Sequence, residues 1–247
     1  MSEQARAREE ILEAGRRLRE RFFVAANDGN ISARLSGGDI LITPTGVNKG
    51  DMSAEMLLTV DPGGAVLSGD LKPSSEMKMH LAVYRRRPDV RAIVHAHPPT
   101  ATGFATSRIR LDQDVILPEV VFGLGSIGFS EYGTPTTEQV PEAVSREIAS
   151  CEALLLANHG ALTIGTSVMQ AYYRMETLEM YARIRLVTLQ LGGPKALSGP
   201  QIEELVQVRE RQGWGASAAL EVDPRAVELI SQVVLQVLQA RGAGLQR

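Results

Sequence analysis

The sequence has a single cysteine, Cys151, in 247 residues, so it forms no disulfide within the chain. Cys151 opens an apolar run and reads as a small buried hydrophobe rather than a reactive thiol. Basic charge is not in excess. The formal net charge is -3 and the pI about 5.9, which leaves no field for nucleic acid. A basic amphipathic stretch is missing, and so is any apolar run near the roughly 18 residues that span a bilayer, so no membrane partner is expected. The first residues, Met1-Ser2-Glu3-Gln4, are polar and do not read as a signal peptide. Repeats, low-complexity tracts and a convincing linker are absent too. With 44% hydrophobic residues, these absences predict a cytoplasmic, globular protein. Residues 1–247 are expected to form one domain, with 194–247 a helical extension packed on it.

Histidine is also scarce, and the four present are not scattered. Two form His95-Ala96-His97, in a segment that reads as a strand. Side chains alternate along a strand, so both imidazoles leave the same face. A third, His159, lies in the turn Asn158-His159-Gly160. Three imidazoles with one open position are the pattern of catalytic zinc. The spacing alone also fits a structural His-x-His on a sheet edge.

Apolar periodicity predicts helices over 3–26, from Pro73 to Arg87, over 99–107, over Thr136–Ser150 and over 167–191, with two more near 199–212 and 223–241. Ser74 reads as the N-cap of the second. Two hairpins precede it, Ile31–Leu35 with Asp39–Thr43 and Met56–Val60 with Ala65–Leu67. Strands are expected through His97 and on both sides of Asn158-His159-Gly160. Hairpins rather than strict βαβ alternation predict an α/β fold with a mainly antiparallel sheet covered by helices.

Other polar groups cluster at element ends. Glu76 opens a helix, where a carboxylate also has the ordinary role of complementing the helix dipole. Ser74 and Ser75 sit at the same N-terminus and suit either phosphate or simple capping. Gly29-Asn30-Ile31-Ser32 and Thr43-Pro44-Thr45-Gly46 are glycine-bearing turns able to present N–H groups to an anion. His80, one helical turn after Glu76, reads as a core-facing histidine behind the site.

These motifs, with Pro73-Ser74-Ser75-Glu76, the histidine pair and Asn158-His159-Gly160, occur in one order and spacing. The chain resembles the class II aldolase/adducin-like family, in its bacterial L-fuculose-1-phosphate aldolase branch, from residue 5 to about 192. The resemblance implies a three-layer α/β/α fold around the sheet. It implies one Zn²⁺ per chain on His95, His97 and His159, other divalent ions being acceptable to a His₃ site. Glu76 would move protons, and Asn30, Thr45, Gly46, Ser74 and Ser75 would bind the phosphate of a sugar substrate. The implied assembly is a homotetramer with active sites at subunit interfaces. The implied reaction cleaves a ketose 1-phosphate to dihydroxyacetone phosphate and an aldehyde, the ion acting as Lewis acid. A dehydratase, an epimerase or a decarboxylase of the same family is the alternative. The epimerases typically carry aspartate where this chain has Glu76. A non-catalytic adducin-like domain lacks the metal histidines that are present here.

One departure concerns the aldolases' tyrosine from a neighbouring subunit. The corresponding stretch, Val115 to Phe122, has none. Glu119 and Tyr132 are the substitutes the sequence offers. Trp214, between two glycines, reads as a core or lid residue.

Overall fold

The computed structural model describes residues 2–112 and 114–212. The elements run α1 (Glu3–Glu20), β1 (Asn30–Arg34), β2 (Ile40–Ile42), β3 (Leu58–Val60), β4 (Val66–Ser68), α2 (Met77–Arg86) and β5 (Ala92–Ala96). They continue α3 (Pro99–Ser107), β6 (Ile127–Ser130), α4 (Gln139–Glu147), β7 (Ala153–Leu156), β8 (Gly160–Gly165), α5 (Val168–Gln190) and α6 (Gly199–Arg211). The strands form one sheet in the order β4-β3-β2-β1-β5-β8-β7-β6. Every pairing is antiparallel except β6 with β7.

The period-two pattern of the strands makes two cores. Ala92, Val94 and Ala96 of β5 face one side, packed with Ile11 and Leu18 of α1, Phe104 of α3, and Tyr172 and Leu178 of α5. Ile93 of β5 faces the other, with Met79 and Val83 of α2 and Val144 of α4. Each fully buried aliphatic side chain contributes about 1.5–3 kcal/mol. The expected α/β/α layering with a mainly antiparallel sheet is therefore present. Cys151 is buried in the second core, and that burial pushes its thiol up to about 12.

Several boundaries differ from the sequence expectation. The first helix stops at Glu20, because Phe22 turns the chain with φ 58°. Residues beyond it form a strap, and His97 N–H donates to the Phe23 carbonyl at 2.8 Å. Helix α2 starts at Met77, so Ser74 is not its N-cap. Ser74 Oγ instead accepts from Glu76 N–H at 3.2 Å. Strand β6 was not expected. It is a four-residue edge strand in a glycine-bearing stretch, too short to show a period. Helix α6 packs against the π turn Val120–Leu124 through Arg209, whose Nη1 donates to the Val121 carbonyl at 3.0 Å. The helix expected near 223–241 and Trp214 lie outside the described residues.

Candidate metal centre

Strand β5 sits between β1 and β8, and its end carries the site. His95 pairs with Asn30 across β1 and with Leu162 across β8. The His95 and His97 rings stand 5.1 Å apart. His159, in the turn from β7 to β8, lies 4.7 Å from His95 and 5.2 Å from His97 by ring centroids. One nitrogen from each of the three lies within 4.8 Å of the others. The expected trio is thus gathered from two distant stretches of chain.

Two glycines make this approach available. A Cβ on Gly160 would stand 2.5 Å from His97 Cδ2 and 2.6 Å from the Ala96 carbonyl oxygen. Gly29, at φ 71°, leaves no room beside the His95 carbonyl, 2.8 Å from where its Cβ would be. Behind His97, the chain enters α3 through two prolines. Glu179 of α5, 2% exposed, holds that helix start by accepting from Thr100 N at 3.0 Å and Ala101 N at 2.9 Å. A carboxylate at a helix N-terminus is electrostatically favourable.

The hydrogen bonds set the imidazole tautomers. His95 Nδ1 lies 2.9 Å from the Ala161 carbonyl, which can only accept, so Nδ1 carries the proton. Nε2 of the neutral ring is then a lone pair. It faces Glu76 Oε2 at 3.2 Å. Two acceptors in contact inside a protein require a proton or a cation between them. His95 Nε2, His97 Nε2 and Glu76 Oε1 are all buried with no hydrogen-bond partner. Glu76 Oε1 is 3.2 Å from His159 Nε2, and His97 Nδ1 is 3.5 Å from Asp28 Oδ2. Three imidazole nitrogens this close together, two of them buried without a partner, could hold a divalent cation.

Burial pushes the Glu76 carboxyl up, but the His95 and His159 imidazoles beside it and the hydrogen bond from Asn30 outweigh it and hold the group well below the usual carboxylate range. Burial pushes the His95 imidazole down, and Glu76 beside it reverses the direction to upward. Burial and the neighbouring His95 bring His159 down to about 4. Glu76 is an anion in a ring of imidazoles.

The anion-binding expectations converge on the same end of the sheet. Ser74 N donates to the Thr43 carbonyl at 3.1 Å and Thr45 N to the Lys72 carbonyl at 3.0 Å. These bonds lay the Thr43–Gly46 turn against the segment from Lys72 to Ser74. Thr45, Gly46 and Ser75 are exposed, and Gly46 has φ 74°. Asn30 is more committed than expected. Its Nδ2 donates to Glu76 Oε2 at 2.8 Å and its Oδ1 faces His80 Nε2 at 2.5 Å, leaving one amide N–H for an anion.

Glu119 and Tyr132 are not brought into this cluster. Glu119 is exposed and lines a separate cleft of about 680 Å³ with Arg21, Glu176 and Met180. Tyr132 is 53% exposed. Three residues escaped sequence reasoning. They are Asp28, adjacent to a recognised turn, Glu179, with no local signal, and Lys49. Lys49 is 1% exposed and donates to the Asn27 carbonyl at 3.1 Å and to the Val47 carbonyl, tying together the segments that flank the two glycine-bearing turns. Burial lowers Lys49 to about 8.

Comparison with known proteins gives a consistent set. Residues 9–186 match the model of the family described as Class II Aldolase and Adducin N-terminal domain. A 3-oxo-tetronate 4-phosphate decarboxylase of Pectobacterium atrosepticum is 35% identical over 210 residues, 83% of this chain and 94% of its own. A 5-deoxy-D-ribulose 1-phosphate aldolase of Bacillus thuringiensis serovar kurstaki is 31% identical over 209 residues, 84% of this chain and 96% of its own. The crystal structure of L-fuculose-1-phosphate aldolase from Thermus thermophilus superposes with a TM-score of 0.66 at 32% identity, covering 78% of this chain and 100% of that one.

Proposed function

The chain belongs to the family of class II aldolases and adducin N-terminal domains, and on that premise we propose that it is a divalent-metal-dependent lyase that releases dihydroxyacetone phosphate from a phosphorylated sugar. The observation that carries this is the pair of orphaned Nε2 atoms of His95 and His97, gathered with His159 at Glu76. Zinc is the ion proposed, on His95, His97 and His159, and manganese or cobalt are acceptable alternatives. When bound, the ion supplies a Lewis acid at the substrate carbonyl and its neighbouring hydroxyl.

The remaining roles fall to the chain. Ser74, Ser75, Thr45, Gly46 and the free amide N–H of Asn30 would grip the phosphate. That fixes the substrate at the end remote from the bond that breaks. Glu76, anionic and beside the imidazoles, would take the proton as the enediolate forms from dihydroxyacetone phosphate, and in the cleavage direction would first take up a proton from solvent and then hand it to the enediolate carbon. Active sites are proposed to lie at the interfaces of a homotetramer, where Glu119 or Tyr132 of one protomer would reach the site of another.

Two leaving groups give the same enediolate. A ketose 1-phosphate such as L-fuculose 1-phosphate loses an aldehyde, and a base must take the proton of the hydroxyl that becomes its carbonyl. A 3-oxo-tetronate 4-phosphate loses carbon dioxide, with no hydroxyl to deprotonate. The absence of tyrosine from Val115 to Phe122 and the 35% identical relative named a decarboxylase favour this second reading. The test is incubation of metal-loaded protein with a panel of ketose 1-phosphates and with 3-oxo-tetronate 4-phosphate, assaying dihydroxyacetone phosphate, aldehyde and carbon dioxide. Release of dihydroxyacetone phosphate with either co-product supports the lyase and selects the substrate. No release from any of them overturns it.

A further inference from the structure

Behind Glu76 the polar side chains of α2 and β1 form a zipper. Glu76, His80 and Tyr84 follow one another at intervals of four residues, about 6 Å of helix. Asn30 and Ser32 alternate on one face of β1, about 6.7 Å apart. The two repeats match, so each strand residue sits between two helix residues. Asn30 bridges Glu76 and His80. Ser32 bridges His80, with Oγ 2.7 Å from Nδ1, and Tyr84, with Oγ 2.8 Å from the phenol oxygen. All four residues behind Glu76 are buried, and His80 and Ser32 have no exposed surface.

The direction of every bond in this string follows from its carboxylate end. Glu76 is an acceptor, so the Asn30 amide nitrogen faces it and the Asn30 oxygen faces His80. His80 Nε2 must then donate. Burial holds His80 neutral, with its imidazole down at about 3, so Nδ1 is a lone pair. Ser32 therefore donates to Nδ1 and accepts from the Tyr84 hydroxyl. Phenol, hydroxyl, imidazole and amide all donate toward Glu76. Bonds aligned head to tail strengthen one another. The amide in the middle cannot hand a proton on, so the string is a scaffold and not a proton wire. It anchors Oε2 and leaves Oε1, which has no hydrogen bond, turned to His159.

We propose that His80 is a positioning residue that acts through Asn30 to hold Glu76 with Oε1 directed at the reacting centre. This rests on the reading of Glu76 as the proton-moving group. The experiment compares H80F, H80Q, E76Q and the double variant E76Q/H80F, using the phosphorylated substrate selected above. H80F removes the donor to Asn30, and H80Q keeps one. Misplacing a reacting group by 1 Å costs up to about 10²-fold. The expected result is a kcat about 10–100-fold lower in H80F, with KM and metal content held, and with most of the rate restored in H80Q. H80F should add nothing to E76Q, because residues acting as a unit are non-additive. Equal losses in both backgrounds would show a structural histidine and overturn the inference. A wild-type rate in E76Q would instead overturn the reading beneath it. Where H80F fails to fold, ¹⁵N spectra of the wild-type imidazole decide. The neutral Nε2–H tautomer is expected for His80, and an Nδ1–H tautomer at pH 7 reverses the string and overturns the inference.

Discussion

Glu76 Oε2 stands 3.2 Å from His95 Nε2, the nitrogen whose lone pair is left free by the bond from Nδ1 to the Ala161 carbonyl. Carboxylate against lone pair is repulsive unless a proton or a cation joins them, and His97 Nε2 is orphaned beside them. Purified protein is therefore expected to carry one divalent ion per chain, measured by elemental analysis before and after chelation. The His95→Ala/His97→Ala protein should carry none. Metal retained at the wild-type level in that variant would move the site elsewhere.

Glu76→Gln keeps the shape and the bond from Asn30 but removes the base. General acid–base catalysis contributes about 10²–10⁴-fold, and kcat should fall by that factor. Metal content should survive, since the three imidazoles remain. Steady-state rates near wild type would reduce Glu76 to a helix-start charge.

Ser75 is exposed two residues before α2, next to Ser74, which bonds to the Thr43–Gly46 turn. Ser75→Ala should cost about 1–2 kcal/mol for one hydrogen bond to a charged group, or about 5–30-fold in KM, with kcat nearly unchanged. Initial rates over a range of substrate concentrations separate the two constants. A change in kcat alone would place Ser75 at the chemistry and not at the phosphate.

Much of this site was legible because its signals are local. Strand periodicity put His95 and His97 on one side, and the Asn158-His159-Gly160 turn between two apolar runs supplied the third ring. The resemblance tied Glu76 to them. The four-residue spacing of Glu76, His80 and Tyr84 was also visible, but its register against Asn30 and Ser32 depends on how α2 lies across β1. Glu179 was not legible at all, since the backbone it caps is 78 and 79 residues away. Strand β6 was missed for a different reason. Its pairing with β7 is parallel, with no hairpin turn to announce it. Asn30 was expected to serve a phosphate, and a motif carries no information on how its three remaining hydrogen-bonding positions are shared.

Gly160 tests whether close backbone approach sets the metal geometry. Gly160→Ala puts a methyl group against His97 Cδ2 and the Ala96 carbonyl. Overpacking of this kind costs about 1–3 kcal/mol, so urea denaturation should show a lower midpoint. The strain falls on the two ligand-bearing segments, so metal affinity should weaken as well. An unchanged affinity by titration with zinc would mean that the rings adjust without the glycine.

Acid stability of the metal-free protein tests the buried state of His80. Its pKa is about 3 folded and 6.5 in its ordinary range. Between these values the unfolded chain binds a proton that the native chain does not. The stabilising contribution is thus complete above pH 6.5 and is lost as pH falls toward 3, by up to about 1.4 kcal/mol per pH unit. His97 and His159 shift downward and His95 upward in the same region, so the raw slope mixes four rings. The difference between wild type and H80Q isolates one. Urea unfolding at pH 6.5, 5.5 and 5.0 should show H80Q losing less stability than wild type over that interval, with the two curves converging as pH falls. Parallel curves would mean that His80 accepts a proton in the folded state. In that case Ser32 could not donate to Nδ1, and the string of donors toward Glu76 would break at its centre.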